Sequence, residues 1–181
     1  MTVRVLCVDD SIICQVMLQE LLEADGDIRV TALASDGRAA LAIIQRELPD
    51  VVTMDLHMPG MDGMAAIEEI MARHPVPILV VTSEPGAPGS TVMFEAVQRG
   101  ALDLAARPAQ GDRQAAAALR TRIRTLANVK VVKHLPSPTR LLARAGAAAA
   151  PHPTPHPGLL RGCTLVGLGA SAGGPAAVAT L

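Results

Sequence analysis

Three acidic residues, a threonine and an arginine stand where apolar runs give way to polar segments. Asp9-Asp10 follows Val8, Asp55 follows Met54, Thr82-Ser83 follows Val81, and a fifth apolar run leads into Arg107-Pro108. Clustered carboxylates repel one another unless a cation neutralises them. An all-oxygen set of this kind suits a hard divalent ion, most naturally Mg2+. A carboxylate can also attack phosphorus and form an aspartyl phosphate. Thr82 and Arg107 would then donate to the phosphoryl oxygens while the metal offsets their charge. This chemistry needs all five residues on one rim.

Parallel strands provide such a rim, because ligands in a doubly wound sheet bind outside the strands' carboxyl ends. Up to about residue 127, apolar runs alternate with helical patterns, as in βα units around a parallel sheet. The runs predict strands at 3–8, 28–34, 51–54, 77–81 and 101–105, with helices near 12–24, 37–47, 63–73, 89–99 and 112–127. Ser11 reads as the N-cap of a first helix whose apolar stripe is Ile12, Ile13, Val16, Met17 and Leu21. Asp36 can cap the second. From about Asn128 to Gly158 the chain reads as a solvated linker, with Pro136-Ser137-Pro138, four consecutive alanines and an alternating Pro/His/Thr run. A new apolar run, 163–166, then enters a Gly-rich turn.

Composition narrows the function. Of 181 residues 50% are hydrophobic and 18% charged, enough for a packed core. Phe94 is the single aromatic residue, so there is no stacking platform for single-stranded nucleic acid. No run reaches the roughly 18 apolar residues of a membrane span, so no membrane insertion is expected. The N-terminus has no signal-peptide pattern. Cys7, Cys14 and Cys163 are odd in number and read as reduced thiols of a cytoplasmic protein. Residues 1–112 hold 17 acidic and 7 basic residues, whereas 113–181 hold 9 basic and no acidic ones. A basic tail for nucleic acid is the less favoured reading. Sparse basic residues followed by Pro and Ala suit a basic helix docked on the acidic part of the same chain, with Arg113, Arg120, Arg122 and Arg124 forming a solvated stripe.

The ordered set Val8-Asp9-Asp10-Ser11, Asp55-Leu56-His57-Met58-Pro59-Gly60-Met61-Asp62-Gly63, Thr82-Ser83 and the basic-Pro pair resembles the receiver domain of two-component response regulators. The resemblance covers residues 1 to about 127. It implies a flavodoxin-like five-stranded sheet of order 2-1-3-4-5, with phosphorylation of Asp55 by a histidine kinase. It also implies Mg2+ held by Asp9, Asp10, Asp55 and the backbone carbonyl of His57. Thr82 and Arg107 would be the phosphoryl-contacting switch residues. Two positions depart from the family pattern. Arg107 stands where the family has lysine, and its longer head is expected to be pushed outward or bent against Thr82. Leu104 stands where an aromatic switch residue is usual and reads as core.

Residues 164–178 carry Gly167-x-Gly169-Ala-Ser171-Ala-Gly173-Gly174-Pro175. This pattern suits a phosphate-cradling loop, a strand-to-helix turn presenting a nucleophilic serine, or a plain Gly-rich turn. A receiver, a Pro/Ala linker and this turn in that order resemble the chemotaxis protein-glutamate methylesterases, serine hydrolases that demethylate or deamidate chemoreceptors. Ser171 aligns with their nucleophile. The His and Asp partners are not within the 181 residues, so no esterase activity is expected of this chain as given. The expected organisation is a receiver at 1–127, a linker at 128–160 and the start of a catalytic domain at 161–181. The expected partners are a chemotaxis-type histidine kinase and, for a full-length enzyme, chemoreceptors. The alternative is a stand-alone receiver acting as a phosphate sink or interaction module.

Overall fold

Strands β1 (Val3–Val8), β2 (Ile28–Ala34), β3 (Val51–Met54), β4 (Ile78–Thr82) and β5 (Asp103–Ala106) alternate with helices α1 (Ile12–Glu23), α2 (Gly37–Arg46), α3 (Gly63–Arg73), α4 (Thr91–Arg99) and α5 (Arg113–Leu126). The strands form one parallel sheet in the order β2-β1-β3-β4-β5, as expected from the sequence. The computed structural model describes residues 2–83 and 91–131. The expected linker from residue 132 onward and the Ser171 segment lie outside the described residues. β4 and β5 begin and end one or two residues later than the apolar runs suggest, which brings Thr82 inside its strand.

Alternation along the strands supplies two cores. Leu6, Val8, Val52, Met54, Ile78 and Val80 face one way and pack against α2, α3 and α4. Val5, Cys7, Val51, Leu79 and Val81 face the other way, against Leu18 and Leu22 of α1 and Leu119, Ile123 and Leu126 of α5. Residues 5–8, 51–54 and 78–81 are covered on both faces, which is why these stretches are apolar apart from Thr53. Leu104, on edge strand β5, is only partly buried. Met54, Met58 and Met71 are buried, as packing residues should be.

Two helix faces differ from expectation. In α1 the buried residues are Gln15, Leu18 and Leu22, while Ile12 and Ile13 are 75% and 81% exposed. The helix places positions 15, 18 and 22 on one side, at spacings of three and four. A stripe drawn from apolar type alone missed that side because its first member is polar. In α5 Arg120, Arg122 and Arg124 are paired rather than simply solvated, while Arg113 is exposed. Arg120 Nε and Arg124 Nη2 reach Asp25 at 2.8 and 2.7 Å, Arg124 Nε reaches Asp27 at 2.7 Å, and Arg122 reaches Asp103 at 2.8 Å. The basic helix thus docks on acids of the same chain. Among the described residues no helix is long and apolar enough to cross a membrane.

The N-caps follow the sequence. Cys14 N–H donates to Ser11 Oγ at 3.4 Å, and Arg38 and Ala39 N–H donate to Asp36 at 2.7 and 2.9 Å. Asp62 caps α3 through Ala65 N–H at 2.7 Å. Each cap accepts from amides that the first turn of a helix would otherwise leave without partners.

Candidate functional site

Register brings the acids together. Val8 pairs with Met54 and Met54 with Val80, so β1 and β3 end level while β4 runs two residues further, to Thr82. Asp9 and Asp55 therefore leave the sheet side by side. Asp55 N–H donates to Val8 O at 2.9 Å and Asp9 N–H to Ala34 O at 3.0 Å, which extends the strand pairing to both acids. One carboxylate oxygen from each of Asp9, Asp10 and Asp55 lies within 4.8 Å of the others. Asp9 and Asp55 are buried and Asp10 is exposed. Asp9 Oδ1 accepts from Ser11 N–H, and Asp55 Oδ1 from Leu56 N–H, each at 2.9 Å.

Burial pushes the Asp9 carboxyl above its ordinary range; the Ser11 amide and the Arg107 charge pull it down, and Asp55 and Asp10 push it up again. The cation comes from the far side of the sheet. Arg107 follows β5, where its N–H donates to Thr82 O at 2.9 Å, and its side chain reaches the acids beyond β1 and β3. Its Nη2 lies 2.5 Å from Asp9 Oδ2 and 3.4 Å from Asp55 Oδ2. Its Nη1 donates to Cys14 Sγ at 3.0 Å. Of the two outcomes its length suggested, an outward head is not seen: the head turns inward and is 15% exposed. Cys14 is accordingly a partly exposed partner of Arg107.

Thr82 is fully buried at the end of β4, on the same rim as the acids. His57 lines a groove with Asp10, Pro59, Asp62, Val92 and Glu95, next to the acidic cluster. Three converging carboxylates with one guanidinium between two of them leave net negative charge in a partly buried place. Such an oxygen donor set fits a hard divalent cation.

Two supports were not anticipated from the sequence. Gln15 donates its side-chain amide to Asp9 O at 2.6 Å and to Ala34 O at 3.0 Å. The signal was a polar residue at the sheet-facing position of α1. Gly63 N–H donates to Leu56 O at 3.1 Å, and a Cβ at Gly63 would lie 2.1 Å from Asp55 O. Its place in the turn motif was legible, but that close approach was not.

Residues 5–120 match the response regulator receiver domain. The chain belongs to the response-regulator receiver family. The receiver resembles the response regulator domain of Thermotoga maritima CheB, with a TM-score of 0.67 and 33% identity over 72% of this chain and 99% of that one. It is also similar to a chain in the structure of the P1 domain of CheA3 in complex with CheY6 from R. sphaeroides, with a TM-score of 0.60 and 26% identity over 70% of this chain and 98% of that one. In sequence it is 40% identical over 182 residues to the protein-glutamate methylesterase/protein-glutamine glutaminase of group 3 operon from Bradyrhizobium diazoefficiens, covering 97% of this chain and 49% of that protein. The chain spans about half the length of the curated relatives it matches. It carries a receiver homologous to those of chemotaxis methylesterases.

Proposed function

We propose that Asp55 is the phosphoacceptor of a chemotaxis response regulator, with Mg2+ held by Asp9, Asp10, Asp55 and the backbone carbonyl of His57. The observation that carries this reading is the convergence of three carboxylate oxygens within 4.8 Å at the carboxyl ends of parallel strands. An Asp55 carboxylate oxygen forms the new bond to phosphorus as the donor's bond to phosphorus breaks, and the leaving imidazole nitrogen of a kinase phosphohistidine keeps the electron pair. Thr82 and Arg107 donate to the phosphoryl oxygens. The divalent ion would supply neutralisation of the charge those oxygens bring. A histidine kinase of the CheA type is the donor this reading favours, supported by the similarity to the CheA3–CheY6 complex.

The same reading takes residues 1–127 as the receiver, 128–160 as linker and 161–181 as the beginning of a catalytic domain with Ser171 as nucleophile. Alignment of the Bradyrhizobium methylesterase with 97% of the chain supports that division. In this view the phosphorylated receiver governs receptor demethylation and deamidation in the cytoplasm.

The test is labelling of the full chain with acetyl phosphate and Mg2+, followed by intact mass measurement and peptide mapping. One labile phosphoryl group on Asp55 is expected, and none on an Asp55→Asn variant. Equal labelling of both proteins would overturn the assignment.

A further inference from the structure

The Arg107 guanidinium lies where a divalent ion would have to compete with it. Its Nη2 is 2.5 Å from Asp9 Oδ2, closer than the 3.4 Å to Asp55 Oδ2. Its other terminal nitrogen is held by Cys14 Sγ at 3.0 Å. The side chain is 85% covered, and its Nε is buried without a hydrogen-bond partner. The arginine therefore accepts an unsatisfied polar atom to put its head on Asp9. Such a position is stable only if the contact with the acid is strong, as a short charge-assisted hydrogen bond is.

Resting on the metal-dependent reading above, we propose that Arg107 is a tethered cation that occupies a carboxylate oxygen of Asp9 and thereby sets the divalent-ion affinity of the site. A metal ion using that oxygen must first break the Arg107–Asp9 bond. Asp10, exposed and outside the clamp, is the acid left open for a first contact. The released guanidinium keeps two acceptors within reach, Asp55 and the Cys14 thiol, so displacement is a short movement within the rim. A phosphoryl group on Asp55 adds a third acceptor on the side to which the head must move. Ion binding and phosphorylation would then reinforce one another through the position of one side chain.

Length as well as charge is essential here. Lysine keeps the charge, but its single ammonium on a shorter stem cannot hold Asp9 and Cys14 with two separate nitrogens. Substitution by lysine therefore separates hydrogen-bonded competition from simple repulsion between like charges. Glutamine at position 107 removes both.

Mg2+ titration calorimetry on the full-length parent chain, Arg107→Lys, Arg107→Gln and Asp10→Asn, with melting curves to confirm folding, tests this. Arg107→Lys is expected to bind Mg2+ about tenfold more tightly than the parent, the scale of one charge-assisted hydrogen bond no longer broken on binding. Amide shifts of Asp9 and Ser11 should also differ between the metal-free parent and Arg107→Lys. If Arg107→Lys matches the parent while Arg107→Gln alone binds more tightly, only charge matters and the clamp is refuted. Equal affinities in all three proteins with residue 107 varied, with weaker binding by Asp10→Asn, overturn the clamp and leave the metal site standing. Heat that is absent from every protein overturns the metal-dependent reading together with the clamp.

Discussion

Gln15 holds Asp9 by its main chain: its side-chain amide donates to the Asp9 carbonyl at 2.6 Å and spans to Ala34 on the neighbouring strand at 3.0 Å. The position of the buried acid is therefore set from α1 as well as from β1. Leucine at position 15 would fill similar space and leave the Asp9 carbonyl without this donor. A buried acceptor deprived of its partner costs about 1–3 kcal/mol. Gln15→Leu should lower the urea midpoint accordingly and weaken Mg2+ binding. Unchanged Mg2+ affinity in a destabilised variant would make Gln15 purely structural.

Gly63 and Asp55 are coupled through backbone contact. A Cβ on Gly63 would meet Asp55 O at 2.1 Å and Leu56 Cα at 2.8 Å, both main-chain atoms with little freedom to yield. Gly63→Ala should cost about 1–3 kcal/mol, in the range of an overpacked core, and slow phosphorylation by displacing the Asp55 carbonyl. Gly26→Ala is the control. Its φ of 78° carries a backbone penalty of about 1–2 kcal/mol, but no atom lies within 4 Å of the added Cβ. It should lose stability without slower labelling. Equal slowing in both variants would count against a specific link to Asp55.

The fold was legible because three physical signals agreed. Central strands covered on both faces read as mostly apolar runs, the caps Ser11 and Asp36 mark helix starts, and the chemistry-bearing residues sit at or just after strand ends. The acidic cluster was legible for the same reason, since parallel strands of matched register end together. Arg107 was legible as a cation but not in its target, because the reach of a side chain across the rim depends on the twist of the sheet. Gln15 escaped for a related reason. A polar residue on a helix says nothing about whether it faces water or a carbonyl in need of a donor. Arg120 and Arg124 of α5 likewise gave their sign but not their partners, Asp25 and Asp27, which lie nearly a hundred residues earlier in the chain.

The two described thiols should differ in reactivity. Burial pushes the Cys7 thiol up to about 11, with Asp9 and Cys14 adding to the shift and Thr53 and Arg107 opposing it. At pH 8 almost none of it is thiolate, and no surface is open to a reagent. Cys14 is partly exposed and lies against the Arg107 guanidinium. Iodoacetamide at pH 8 followed by peptide mapping should therefore modify Cys14 well before Cys7. Comparable rates at the two positions would mean that β1 opens to solvent on the timescale of labelling.

Acid should loosen α5 before it reaches the sheet. Arg124 and Arg120 hydrogen bonds hold the Asp25 carboxyl below its ordinary 3.8, and Arg124 does the same for Asp27. At Asp50 burial pushes upward, but hydrogen bonds from Arg4 outweigh it and the net direction is again down. A carboxyl with a lowered folded value takes up its proton first in the unfolded chain. Its stabilisation is complete above 3.8 and is lost as pH falls through the lower folded value. Asp9 has the opposite sign: its folded value is raised, so its contribution is present below 3.8 and fades as pH rises through that higher value. The acid limb below about pH 4 therefore belongs to the paired surface acids, not to Asp9. Melting temperature should fall along that limb, and an Arg124→Gln variant should show a shallower fall because Asp25 and Asp27 lose their shared partner. High salt, which screens exposed pairs, should flatten the parent's limb in the same way. An acid limb of equal slope in parent and variant would assign the loss to other carboxylates.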